Sequence, residues 1–226
     1  GVNAGDYSFD FSAIKRHQQQ IVRLSALGVE KSLKDAGADL MTGEGEILAP
    51  DRVRFTAEDD RQETIRTRHI IIAWGAEPLV LPGLNLSARV MTSDGLLAMD
   101  SLPGSIVIVG GSIIGVEFAT FLAELNVKVT LIELLDQILP FEDEEAANLL
   151  KQELSRLGVA IHTGTRLDAI EETATGVTLN LTSPAGLSSL TADCVLLSTG
   201  RKPRLRPEEL NLVGIHHEKS GIAVNP

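Results

Sequence analysis

A chain of 226 residues, 43% hydrophobic and 23% charged, has room for one large or two small globular domains of ordinary soluble composition. Its formal net charge of −11 argues against nucleic acid or an anionic membrane as partner. No apolar run approaches the ~18–20 residues of a membrane span, and a single cysteine, Cys194, excludes an intrachain disulfide and points to a reducing, cytoplasmic compartment.

The N-terminal GVNAGDYSFD carries no basic-then-apolar signal pattern. From about residue 9 to 36 the chain reads as a long helix, with Ile14, Ile21, Val22, Leu24, Leu27, Val29 and Leu33 recurring at helical spacing and Gly37 as its stop. Short strands are predicted at Asp39–Met41, Glu46–Leu48, Val53–Thr56 and Glu63–Arg66, with Gly43 and Gly45 marking a turn or bulge between the first two. His69–Trp74 (HIIIAW) reads as a largely apolar strand stopped by Gly75, and Pro78, Pro82 and Gly83 make the next stretch a linker. Ser93–Met99 is a short helix capped by Ser93 or Asp94.

The most informative stretch follows, from Ile106 to Glu133. The run Ile106–Val109 reads as a buried parallel strand. It meets the turn Gly110-Gly111-Ser112-Ile113-Ile114-Gly115, then a helix from about Ile113 to Leu125, then a second apolar strand, Val127–Ile132, ending in Glu133. Strand, glycine turn, helix, strand and acid make up the unit that binds a dinucleotide. Gly110 supplies a turn without a Cβ. The helix start aims free N–H groups and its positive dipole end at a pyrophosphate, and Gly115 lets the helix pack close to the strand. Ser112 stands where the middle glycine usually lies; its Cβ crowds the pyrophosphate, while its hydroxyl is a phosphate donor. Glu133 lies 23 residues after Gly110, near the ~20 expected for an acid on the adenosine ribose. A carboxylate accepts from a 2′-OH and repels a 2′-phosphate. With no Arg or Lys between Glu133 and Lys151, the pattern favours NAD over NADP.

Asp143–Leu157 reads as an amphipathic helix with Ala146, Leu149, Leu150, Leu154 and Leu157 on one face. Val159–His162 is the next strand; Arg166–Ile170, Val177–Leu181 and Ser188–Leu190 read as a meander. Asp193–Ser198 is a further apolar strand running into Thr199-Gly200-Arg201, and the tail from Lys202 is turn-rich. His17, His69, His162, His216 and His217 read as surface histidines, with no set of ligands at metal spacing. Cys194 reads as a buried inert thiol. Asp143, Glu144 and Glu145 read as dipole-matched residues of a helix start.

Taken in order, these motifs resemble the flavin- and pyridine-nucleotide-dependent disulfide oxidoreductases, most closely their dihydrolipoamide dehydrogenases. GGSIIGVE is one match, and IELLDQILPFEDEE is similar to the family's acid, "ILP" and acidic helix start. HIIIAWGAEP resembles a strand ending in Ala-Thr-Gly, and DCVLLSTGRKP resembles the strand that leaves the pyridine-nucleotide domain. The N-terminal helix followed by MTGEGEI is similar to the segment after the redox cysteines.

The resemblance implies an α/β fold: a Rossmann-like FAD/NAD(P)-binding domain of the three-layer ββα type, with part of a second related domain. Residues 1–90 would be part of an FAD domain, 91–200 an NAD domain, and 201–226 the start of the return to the FAD domain. It implies that Gly110, Gly111, Ser112, Ile113, Ile114 and Gly115 hold the NAD pyrophosphate and Glu133 the adenosine ribose. Glu117 would lie near the nicotinamide ribose, or else be a first-turn acid suited to the helix dipole. Gly200 would approach the nicotinamide end, and the Leu167 backbone would border the adenine or be plain core. Gly45, Trp74 and Gly75 match positions that border FAD, although Trp74 stands where a threonine is usual and its bulky indole changes the packing there.

The family's FAD glycine turn, its CxxxxC pair and its C-terminal His-Glu pair are not in these 226 residues. The expectation is an internal part of a roughly twice-longer, homodimeric enzyme, with no catalytic residue of its own, that passes hydride between NAD(H) and FAD and couples it to a dithiol/disulfide substrate such as lipoamide. The alternatives are a mercuric- or glutathione-reductase-like member, an NADH oxidase, or a non-catalytic nucleotide-binding module. Apolar surface such as Ile70–Ile72 is expected to be exposed.

Overall fold

The computed structural model describes residues 8–225; the reading of residues 1–7 lies outside them. The described chain separates into two compact units. One is Pro78–Arg201 with residues 8–13; the other is Ile14–Glu77 with residues 202–225.

The predicted long helix is present as α1 (Phe11–Asp35), which from Ile14 on belongs to the second of these units. It has no buried residue, and Val22, Leu24 and Val29 are about 60% exposed. β1 (Gly43–Ala49), β2 (Arg52–Ala57) and β3 (Gln62–Arg66) form an antiparallel sheet in that order. Asp39–Met41 is not a strand, and Gly43 and Gly45 lie inside β1 rather than at a turn. The glycine at 43 has a packing reason, since a Cβ there would sit 2.3 Å from the Thr56 carbonyl of β2. His69–Trp74 also forms no strand. An apolar run becomes a strand only where a ladder satisfies its backbone, and no described strand pairs with it. Ile71 is 93% exposed there, while Ile70 and Ile72 are half-buried. After the short β4 (Ala76–Pro78) the chain enters the other unit.

That unit has three layers. Its centre is a parallel sheet of β5 (Val90–Thr92), β6 (Ser105–Val109), β7 (Lys128–Ile132), β8 (Ala160–His162) and β12 (Cys194–Leu197), ordered β5-β12-β6-β7-β8. On one face lie α2 (Ser93–Ala98), α3 (Ile113–Glu124) and α4 (Glu144–Arg156); on the other lies the predicted meander of β9 (Arg166–Glu172), β10 (Val177–Ser183) and β11 (Gly186–Ala192), antiparallel in the order β11-β10-β9. Alternation along the strands divides the core. Ile106, Ile108, Val129, Leu131, Cys194 and Leu196 pack with Val116, Leu122 and Leu154 of the helices. Val107, Val109, Ile132, Val195 and Leu197 pack with Val177, Leu179 and Leu181 of the meander. Both faces are covered, which is why the strands read as continuous apolar runs. This is the expected Rossmann-like α/β class.

Two helix details differ from the pattern reading. The N-cap of α2 is Thr92, not Ser93 or Asp94. The buried face of α4 is Ala147, Leu150 and Leu154; Leu150 and Leu154 belong to the predicted stripe, while Ala146, Leu149 and Leu157 are exposed. Ala146 and Ala147 both stand at helical spacing from Leu150, so spacing alone does not choose between them. The tail adds β13 (Arg201–Pro203), the unpredicted short α5 (Pro207–Leu212), and a hairpin of β14 (His217–Glu218) and β15 (Gly221–Ile222).

Candidate functional site

β6, β7 and β12 are parallel neighbours, so their C-terminal ends lie side by side. Gly110, Glu133 and Ser198 are the residues that follow those three ends. In open α/β sheets this edge is where ligands bind.

The backbone of the turn is held group by group. The Gly110 N–H donates to the Ile132 carbonyl at 2.8 Å, and the Gly111 carbonyl accepts from the Leu139 N–H at 2.7 Å. The Gly111 N–H donates to Oε2 of Glu133 at 2.6 Å, while Oε1 of the same carboxylate accepts from the Leu135 N–H at 2.8 Å. Glu133 is only 8% exposed; a buried carboxylate is tolerated because charge-assisted bonds to backbone N–H groups meet its oxygens. The Ser198 hydroxyl lies 2.8 Å from the Gly110 carbonyl and 3.0 Å from that of Val109.

The glycines are required by space. Gly110 has φ +109°, and a Cβ there would meet the Ser198 carbonyl at 2.4 Å. A Cβ on Gly115 would stand 1.9 Å from the Gly110 carbonyl oxygen. Gly111 is packed by Glu133, Ile138 and Leu131, each just over 3 Å from its would-be Cβ. Ser112 is the N-cap of α3 with φ −82° and makes no capping side-chain bond. Ile113 and Ile114 open the helix, where N–H groups have no intrahelical partner. Backbone donors at a helix start, an edge without side chains and a carboxylate beside them make a cradle suited to a pyrophosphate with an adjacent ribose.

The other predicted positions fall as follows. Glu117 is exposed and is the fifth residue of α3, so it is not a first-turn acid. Gly200 has φ +113°, and its carbonyl accepts from the Leu79 N–H at 2.9 Å. Leu167 sits in β9 opposite Leu181, its half-buried side chain packed on the meander-side core. Gly45, Trp74 and Gly75 belong to the other unit. There Arg206 donates to the Gly45 carbonyl at 2.8 Å and lies 5.4 Å from the Trp74 ring centroid, and the Gly75 carbonyl accepts from the Arg204 N–H at 3.0 Å. These groups are tied to arginines of their own unit.

Two contributors escaped the sequence reading: Ser198, whose only signal is a polar residue at the end of an apolar strand, and Leu139, which reaches the turn from the ILP segment with φ +48°. Asp143 is the N-cap of α4, its Oδ1 accepting from Glu145 and Ala146 N–H at 3.0 and 3.1 Å. Burial, reinforced by the Asp193 charge, pushes the Cys194 thiol up to about 11, which suits an inert core residue. Among the described residues no group of His, Cys, Asp and Glu is placed to hold a metal ion, and no helix is long and apolar enough to cross a membrane.

The family model described as pyridine nucleotide-disulphide oxidoreductase matches residues 6–226. Dihydrolipoyl dehydrogenases of Chlorobaculum tepidum and Bacillus subtilis are 32% and 34% identical to the chain, each match covering 98% of it and 48% of the relative. Among solved structures, the HOCl-induced flavoprotein disulfide reductase RclA of Escherichia coli matches with a TM-score of 0.84 at 28% identity, over 96% of this chain and 49% of that one. LpdA of Mycobacterium tuberculosis matches with a TM-score of 0.86 at 25% identity, over 96% and 48%. The chain spans about half the length of the curated relatives it matches.

Proposed function

Because the chain belongs to the pyridine nucleotide-disulphide oxidoreductase family, we propose that it carries the NAD(H)-binding part of a flavin-dependent disulfide oxidoreductase of the dihydrolipoamide dehydrogenase kind. The observation that supports this most is the juxtaposition of the glycine turn, the α3 start and the buried Glu133 at one sheet edge. In this reading residues 91–200 are the NAD domain, residues 1–90 belong to an FAD domain, and 201–226 begin the return to it.

The chain's own residues bind and orient. The N–H groups at Ile113 and Ile114, with the Ser112 hydroxyl, hold the pyrophosphate, and the dipole of α3 favours its charge. Glu133 accepts from the ribose hydroxyls through lone pairs that its two N–H partners leave open. The same carboxylate opposes a 2′-phosphate, so NAD is preferred to NADP. Glu117, Gly200 and the Leu167 backbone line the path from the nicotinamide ribose to the adenine. When bound, NAD supplies the carbon that exchanges hydride. FAD, the dithiol/disulfide substrate and the homodimer belong to the longer protein in this proposal; lipoamide is the substrate suggested by the dihydrolipoyl dehydrogenases. The structural likeness to RclA favours one second reading, a different disulfide as substrate on the same nucleotide site. A lone buried cysteine fits a reducing, cytoplasmic setting.

Calorimetric titration with NADH and then NADPH, with an absorbance spectrum of the same sample, tests the proposal. Binding of NADH well ahead of NADPH is expected. Equal binding of both, or of neither, would overturn it.

A further inference from the structure

The peptide bond between Gly110 and Gly111 is gripped at both ends. Its carbonyl accepts from the Ser198 hydroxyl at 2.8 Å, and its N–H donates to Glu133 at 2.6 Å. The remaining polar groups of the two glycines are also bound, Gly110 N–H to Ile132 and Gly111 carbonyl to Leu139. The turn therefore offers none of these four groups to a ligand. The donors left for a pyrophosphate are those at the start of α3, and α3 rests against this peptide plane, a Cβ on Gly115 standing only 1.9 Å from the Gly110 carbonyl oxygen.

Glycines on both sides make that plane easy to rotate, because no Cβ opposes the alternative φ and ψ values. A rotated peptide would turn the Gly110 carbonyl toward the Glu133 carboxylate, oxygen against oxygen. Glu133 thus disfavours the wrong orientation, and Ser198 rewards the right one. Ser198 is well placed to do so: it is 5% exposed, its N–H is fixed to the Val109 carbonyl at 2.8 Å, and its hydroxyl has one proton to share between the Val109 and Gly110 carbonyls. An alanine here would leave the Gly110 carbonyl without this donor inside the protein.

We infer that Ser198 is a positioning residue for dinucleotide binding, locking the Gly110–Gly111 peptide in the orientation that aims the α3 start at the pyrophosphate. This rests on the NAD reading above and extends it to a residue that touches no part of the ligand.

The test compares the 226-residue chain with Ser198→Ala and Ser198→Cys, the thiol being a weak donor of similar shape. NADH affinity is measured by calorimetry, the melting temperature is followed separately, and the Gly111 amide is followed by nitrogen–proton NMR. One hydrogen bond's worth of preorganisation predicts about three- to tenfold weaker NADH binding in Ser198→Ala. The Gly111 amide should shift upfield and exchange faster as its bond to Glu133 loosens, and Ser198→Cys should fall between. A lowered melting temperature with unchanged affinity and an unchanged Gly111 amide would mean a purely structural serine and would overturn the inference. If Ser198→Ala fails to fold, Ser198→Cys carries the same comparison. If the parent chain binds no NADH, the NAD reading falls by itself. The Gly111 amide then decides the clamp: moved by the substitution it stands, unmoved it does not.

Discussion

Ser198 and Glu133 stand 65 positions apart in the chain and hold opposite ends of a single peptide bond, that between Gly110 and Gly111. The parallel sheet makes this possible. β12 and β7 flank β6, so the residue after each of the two strands reaches the turn from a different side. The buried apolar strands thus do more than form a core. They fix the positions of three strand ends, and those ends carry the polar groups.

Replacing Glu133 with alanine removes the acceptor of two backbone N–H groups, Gly111 and Leu135. Bonds to a charged group contribute about 1.5–3 kcal/mol each, and a buried donor left unpaired carries a penalty of its own. The variant should therefore melt earlier and bind NADH at least tenfold more weakly. NADPH should lose less, because its 2′-phosphate no longer faces a carboxylate. Parallel titrations of both nucleotides check this; an unchanged preference ratio would remove Glu133 from the specificity argument.

Gly115→Ala places a methyl 1.9 Å from the Gly110 carbonyl oxygen and 2.8 Å from the Ser198 hydroxyl. Both belong to the rigid turn, so overpacking should destabilise by about 1–3 kcal/mol or more and weaken NADH binding with it. Gly28, within α1, has nothing within 4 Å of its would-be Cβ. Gly28→Ala should instead stabilise by up to about 1 kcal/mol, the helix-propensity difference. Urea melts of the two variants should move in opposite directions.

The strand–turn–helix–strand unit was largely legible because its signals are local. Ile106–Val109, the Gly110 turn and Glu133 each announce themselves within a few residues, and burial on both sheet faces leaves strands as plain apolar runs. Ser198 was not legible, since a serine after an apolar strand has no special pattern and its partners lie nearly 90 residues away. The HIIIAW run misled for the opposite reason. Its composition is that of a strand, but strand formation depends on a neighbour that its own residues do not specify. On α4 the predicted face was right at Leu150 and Leu154 and too wide at Leu149 and Leu157, because adjacent leucines are equally apolar and only the sheet decides which one it covers.

Cys194 gives a pH-dependent prediction. Burial and the neighbouring Asp193 raise its thiol from 9.0 to about 11 in the folded chain. Raised means that the protonated form is favoured by folding. The resulting stability is fully present below about pH 9 and is lost as pH rises toward 11, where the unfolded thiol ionises and the folded one resists. The loss traceable to this group is at most about 2–3 kcal/mol. Stability against pH should fall less steeply in Cys194→Ala over that window. The native thiol should also resist a disulfide reagent at pH 8 and react promptly once urea unfolds the chain. Fast native reaction would contradict the burial.

Ser112 separates two physical effects at the one position where the turn departs from glycine. Its φ of −82° is comfortable for any residue, so the serine carries no backbone strain, and its hydroxyl makes no capping bond to α3. Exchanging a capping-position serine for glycine alters stability by only a few tenths of a kcal/mol, so the melting temperature of Ser112→Gly should stay near that of the parent. Its effect on NADH is then a clean reading of the side chain. A hydroxyl beside a pyrophosphate gives a charge-assisted bond stronger than a neutral one, which outweighs the crowding of one Cβ that the extended backbone already accommodates. The expected outcome is NADH binding weakened about tenfold in Ser112→Gly, with Ser112→Ala weaker still because it keeps the Cβ and lacks the donor. Tighter binding in the glycine variant would show instead that the Cβ holds the pyrophosphate away from the Ile113 and Ile114 N–H groups.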